Sequence, residues 1–217
     1  MNRPAPHRDA ARPRSTLLCG RTLRAVAALM CLVLATLVTT LSLADSRVPL
    51  SLQVLLLSHL GSYDRNFKAR AGSVANVLVV SRKGNSESSF EQASLVKALG
   101  DVKDIGGVPV HVSETEFADV ESIVRRCRAE RISVLYLTVG LEDEAQRLAT
   151  AFVNGNILTV GTSARHAENG AVVGFALEEA RPRLIINLPQ AKAQKVDFRA
   201  EVLRLARLIG PRPSEPQ

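Results

Sequence analysis

Three short apolar runs constrain this chain more than any other feature: residues 74–80 (VANVLVV), 132–139 (ISVLYLTV) and 157–160 (ILTV). Uncharged stretches this short, rich in Val, Ile and Leu, suit strands covered on both faces, and such strands sit in parallel sheets between layers of helix. Helical patterns fill the intervals. Residues 49–60 open on Pro49, a favoured first-turn residue, and run apolar to Leu60. Residues 87–99 carry Phe90, Leu95, Val96 and Leu99, with Gly100 as a stop. Residues 115–128 place Phe117, Val120, Val124 and Cys127 at helical spacing, and residues 142–152 form the next helix. Between them, residues 108–112 alternate with period two after a Gly106-Gly107 turn. Pro109 keeps that strand near the side of the sheet.

The last third departs from this repeat. A polar loop over residues 162–170 precedes two apolar runs, 171–177 and 183–188, separated by the turn-like Glu178-Glu179-Ala180-Arg181-Pro182. The pair reads as an antiparallel hairpin, so the sheet is mixed. A closing helix carries Phe198, Val202, Leu205 and Ile209 on one stripe. The expected fold is α/β, a three-layer Rossmann-like sandwich with a mixed, mostly parallel sheet ending in a β-hairpin and a C-terminal helix.

The first 44 residues stand apart. Six arginines precede a charge-free stretch of 19 residues, 25–43, and Ser42-Leu43-Ala44 offers small residues where a signal peptidase reads. Residues 1–44 are therefore expected to be a signal peptide that sends the rest to the periplasm. The alternative is an uncleaved inner-membrane anchor facing the same compartment, since the stretch is long enough to span a bilayer. Residues 45–209 form one domain, and residues 210–217 (GPRPSEPQ) read as a disordered tail. The leader also holds most of the basic excess. Of 28 Lys+Arg and 21 Asp+Glu in the whole chain, six and one lie in it, leaving 22 against 20. A domain so close to neutrality, with no aromatic–basic interleaving, excludes nucleic acid as a partner.

Catalytic signatures are missing. No glycine loop for a nucleotide phosphate occurs, and His59, His111 and His166 stand alone without metal-ligand spacing, so no cofactor or metal is implied. Gly161-Thr162-Ser163-Ala164-Arg165 follows a strand, but Arg165 stands where a nucleophile elbow needs its second glycine. Cys127 is the one cysteine outside the leader and reads as a small buried hydrophobe. Asn187, at a strand end before Pro189, reads as a helix cap. The loop after residue 160, together with residues 81–85 and 140–142, leaves the carboxyl ends of the strands, where ligands bind in such sheets. Arg165, His166, Glu168, Asn169 and Arg82 are accordingly the candidate residues for a partner or ligand.

Ile186-Asn187-Leu188, the Ala191-Lys192-Ala193 after it, and Val202-Leu203-Arg204-Leu205-Ala206 resemble the YfiR family of secreted bacterial proteins. The resemblance implies a non-catalytic periplasmic regulator that binds and represses an inner-membrane signalling protein such as a diguanylate cyclase, and so acts on cyclic-di-GMP and biofilm output. A sensor kinase is the other partner of that kind, and a homodimer is compatible with the role. A second class is a periplasmic small-ligand sensor or binding module serving a histidine kinase or transporter. Many members carry Trp-Pro after the first helix, whereas this chain has Tyr63-Asp64-Arg65-Asn66 and none of the family's disulfide cysteines.

Overall fold

Alternate residues of the central strands feed two separate cores. In β1 (Ala75–Arg82), Val77 and Val79 face one way and Leu78 and Val80 the other; in β4 (Val134–Leu137), Val134 and Tyr136 oppose Leu135 and Leu137. The computed structural model describes residues 47–210. The signal peptide expected over residues 1–44 and the tail beyond residue 210 lie outside them. No helix among the described residues is long and apolar enough to cross a membrane.

The order of elements is α1 (Leu50–Tyr63), α2 (Phe67–Ala71), β1 (Ala75–Arg82), α3 (Ser86–Gly100), β2 (Asp104–Ile105), β3 (Val108–Phe117), α4 (Val120–Ala129), β4 (Val134–Leu137), a 3-10 turn (Glu142–Glu144), α5 (Ala145–Ala151), β5 (Leu158–Gly161), α6 (Ala164–Glu168), β6 (Val173–Glu178), β7 (Arg181–Asn187), α7 (Leu188–Ala193), α8 (Ala200–Leu205) and β8 (Arg207–Ile209). The sheet has eight strands in the order β2-β3-β1-β4-β5-β6-β7-β8. Strands β3, β1, β4, β5 and β6 run parallel, β6 and β7 form the antiparallel hairpin, and β8 returns parallel to β7. This is the mixed, mostly parallel α/β sheet expected. Its first face packs against α1, α3 and the segment carrying Val196 and Phe198. Its second face packs against α4 and α5. The Glu179-Ala180 turn of the hairpin takes positive φ at both residues, 49° and 59°, which matches the twist of the flanking strands.

Three elements differ from expectation. The helix expected over residues 115–128 is shorter, because β3 runs on to Phe117 and Asp119 then caps α4, its carboxylate accepting from the Ser122 amide at 2.7 Å. The buried set on α4 is Val120, Ile123 and Cys127, with Val124 only partly covered. The polar loop over residues 162–170 holds a short helix, α6. The closing helix stops at Leu205, which is 73% exposed, and Arg207–Ile209 pair with Ile185, Ile186 and Asn187 as β8. Asn187 caps α7 as expected, accepting from the Gln190 amide at 3.0 Å, and its side-chain amide also donates to Ala167 O.

Asp64 ties the two ends of the domain together. Its side chain accepts from the Asn66 and Asp197 amides and pairs with Arg70 at 2.6 Å, while Arg70 and Asn66 both donate to Lys195 O. Main-chain bonds from Arg65 to Asp197 and from Arg199 to Tyr63 complete the clip.

Candidate functional site

The strand order changes direction between β1 and β4, so a crevice is expected at their carboxyl ends. In this chain it is occupied by the protein's own polar side chains. Asn85 caps α3, accepting from the Ser88 amide at 3.0 Å, and so sets Ser88 over the end of β1. Ser88 Oγ accepts from the Arg82 amide at 2.7 Å and lies 2.6 Å from Thr138 Oγ1. Thr138 gives its hydroxyl hydrogen to Val80 O at 3.0 Å, so Ser88 donates to Thr138. One turn along α3, Glu91 is 7% exposed. Its carboxylate accepts from the Val139 amide at 2.8 Å, the Thr162 hydroxyl at 3.0 Å and Arg47 at 3.0 Å. A carboxylate so supplied with donors is held by charge-assisted bonds at the position an anionic ligand group would take.

Gln53, on α1, completes this layer. Its amide nitrogen donates to Val48 O and Thr162 O, and its oxygen accepts from the Tyr136 hydroxyl at 2.8 Å. Burial, with Glu91 nearby, pushes the Tyr136 phenol well above its ordinary range.

His166 is fully buried, which corrects its expected place on an open loop. Ser163 takes extended backbone before α6, which turns the imidazole inward beneath the helix. Nε2 lies 3.0 Å from Thr138 O and Nδ1 lies 2.9 Å from Ser163 Oγ. A carbonyl only accepts, so Nε2 donates to it and Nδ1 accepts from the Ser163 hydroxyl. Room for the ring depends on Gly161, where a Cβ would lie 2.0 Å from His166 Cβ. Burial lowers the His166 pKa below 6.5, against the opposing charge of Glu142. The result is a serine–histidine contact that spacing alone does not suggest. Its histidine is sealed, and its second nitrogen is spent on a backbone carbonyl rather than a carboxylate, unlike the arrangement a catalytic triad requires.

The other candidate residues separate by role. Arg82 is half-buried and pairs with Glu144 at 3.2 Å. Asn169 donates to Glu142 O at 3.1 Å, and Glu168 pairs with Arg207 at 3.0 Å. Arg165 is exposed on α6 and forms no ion pair among the described residues. Phe90, the neighbour of Glu91, is 72% exposed on α3. The inward residues Ser88 and Glu91 continue the stripe of Leu95 and Leu99 at spacings of three and four, a signal legible in the sequence once Phe90 is assigned outward. Cys127 is buried, as its place on α4 implied, and burial pushes its thiol up to about 12, so almost no thiolate exists near neutrality. His59 and His111 are exposed and isolated. Among the described residues, no group of three or more His, Cys, Asp or Glu could hold a metal ion.

The family model described as YfiR/HmsC-like matches residues 51–207, from the first turn of α1 into β8. The chain belongs to the YfiR/HmsC-like family. No curated protein matches the sequence. Solved structures give this YfiR/HmsC-like chain the same kind of fold at low identity. A conserved domain protein from Vibrio cholerae O1 biovar El Tor aligns with a TM-score of 0.54 at 15% identity, over 74% of this chain and 60% of that one. A ligand-free, open substrate binding protein with adhesive properties from Clostridium difficile gives 0.52 at 12% identity, over 68% and 58%. An ABC domain in complex with L-Trp from Streptococcus pneumoniae gives 0.53 at 9%, over 74% and 62%. The YfiR/HmsC-like chain thus spans about three fifths of the length of each of these proteins, and the likeness is one of fold.

Proposed function

We propose that this protein is a non-catalytic periplasmic regulator that binds an inner-membrane signalling protein, such as a diguanylate cyclase, and favours its inactive state. The observation that carries this reading is the filled crevice. Ser88 bonds to Thr138, His166 to the Thr138 carbonyl, and Glu91 to the Val139 amide and the Thr162 hydroxyl, so the position where related sheets take a ligand is committed to holding the fold together. A domain built in this way acts through its surface. Membership of the YfiR/HmsC-like family supports the same reading. Export by residues 1–44 belongs to the proposal, with the mature chain beginning at or near Asp45.

Recognition is assigned to the outward side of the elements that close the crevice, chiefly Arg165 on α6 and Phe90 on α3. An exposed aromatic and an arginine with no ion pair among the described residues have the chemistry of interface anchors. A repressor of this kind needs only greater affinity for one of two partner states. Deleting the gene is expected to raise cyclic-di-GMP, and the wild-type gene to restore it. Arg165→Glu with Phe90→Ser should fold normally yet restore the level incompletely. Unchanged cyclic-di-GMP in the deletion strain, with the neighbouring signalling gene expressed, would overturn the repressor reading.

A further inference from the structure

The amino-terminal ends of the same strands are built in the opposite sense. A cleft of about 460 Å³ opens there, between the C-terminal ends of α4 and α5. Buried apolar residues such as Ile132 and Phe152 line it, together with Arg70, Arg128, Arg131, Asn154 and Asn156, and no acidic residue does. Arg128, on α4, and Arg131, just beyond its end, are exposed and have no carboxylate partner among the described residues, although Arg126 of α4 is held by Glu130 at 2.8 Å. The cleft is therefore an uncompensated positive region with an apolar lining.

Arg70 closes the floor of the cleft and is committed to the fold. Its side chain is 1% exposed, with Nη1 on Asp64 and Nη2 on Lys195 O. Its Nε–H is buried without any acceptor. The pair with Asp64 offsets this charge, so the positive field of the cleft comes from Arg128 and Arg131. The loop opposite offers further donors. Asn154 and Asn156 hold positive φ of 59° and 52°, and the Asn154 amide is fixed on Ala193 O at 2.7 Å, which leaves both side-chain amides as further donors. Arg131 also has positive φ, 50°, a conformation arginine rarely adopts.

We infer that this cleft binds a small phosphate-bearing solute, with its phosphoryl oxygens between Arg128, Arg131 and the side-chain amides of Asn154 and Asn156. Nothing in this inference depends on the repressor reading, since the cleft lies at the other end of the strands from the filled crevice. If both hold, the solute would be the signal that the regulator integrates.

The test uses the purified protein with inorganic pyrophosphate as probe, by titration calorimetry and thermal shift. Saturable binding with a raised melting temperature is expected. Arg128→Gln with Arg131→Gln keeps the fold, because both side chains are exposed, and should weaken binding by roughly tenfold or more through the lost charge-assisted bonds. Arg181→Gln with Lys192→Gln removes two exposed charges elsewhere and should leave the affinity unchanged. No saturable binding, or equal loss in both double variants, would overturn the site. Tighter binding of citrate than of pyrophosphate would overturn the phosphoryl assignment. Co-sedimentation with phosphatidylglycerol vesicles that is lost in Arg128→Gln/Arg131→Gln, without binding of pyrophosphate, would move the site from a free solute to a lipid headgroup.

Discussion

The proton of His166 sits on Nε2, because Thr138 O can only accept and the Ser163 hydroxyl supplies the hydrogen for Nδ1. Charging this ring would place an ion in a dry site, with the Ser163 hydroxyl turned round to accept from Nδ1. Burial therefore lowers its pKa from 6.5, with Arg165 adding to the effect and Glu142 opposing it. The linkage has a definite sign. Well above 6.5 the ring is neutral in folded and unfolded chains, and its contribution is fully present. As pH falls through 6.5 the unfolded chain takes up a proton that the folded chain refuses, and stability is lost until the folded pKa is reached. Lowering the pH from about 7.5 to about 5.5 should thus reduce the stability of the wild type more than that of His166→Gln, by up to about 1.4 kcal/mol per pH unit. The glutamine amide still donates to Thr138 O but does not titrate. Urea denaturation across that range measures the difference, and parallel slopes in the two proteins would show that another group carries the pH dependence.

At the scale of elements, the clip joins the end of α1 to the segment before α8. Asp64 and Arg70 form a buried pair at 2.6 Å, with side-chain exposures of 0% and 1%. Asp64→Ala leaves the guanidinium buried and unpaired and should destabilise the fold by about 3–5 kcal/mol, read by urea denaturation. A change under about 1 kcal/mol would mean that solvent reaches Arg70. None of this was visible in residues 63–66, because the partners Lys195 and Asp197 are distant in sequence. The central strands β1, β4 and β5 were legible, since burial on both faces leaves a run of apolar residues that no helix of that length explains. The end of β3 was not. Ser113-Glu114-Thr115-Glu116 is polar because that part of the strand is largely uncovered, and a following Phe117 at helical spacing imitates a stripe. α3 misled in the reverse direction. Its inward stripe begins with a serine and a glutamate, and its most conspicuous apolar residue, Phe90, points to solvent. Polar residues that build a buried network look like surface until their partners are known. The same reason hid His166, whose need for space is written only in Gly161.

Across the whole domain, one end of the strands is closed by internally bonded polar groups while the other opens into a basic cleft, so the two functional proposals occupy separate surfaces. The sides of the sheet tell a third story. Strand β2 has two residues and β8 has three, and each lies at one margin of the eight-stranded order. Arg207 of β8 reaches back to Glu168 and Glu178, which fastens the short strand against β7. Ending the chain after Ala206 would strip that cover from Ile185, Ile186 and Asn187. Such a truncation is expected to increase light scattering and thioflavin binding on incubation, whereas ending after Gly210 should change neither. Equal behaviour of the two would make β8 dispensable. A sheet margin made of long, flat strand is a template on which identical chains stack. Three residues of β8, contributing little to the core, serve as negative control over self-assembly: they make β7 an interior strand, so that the hairpin has no free side to offer another copy of itself.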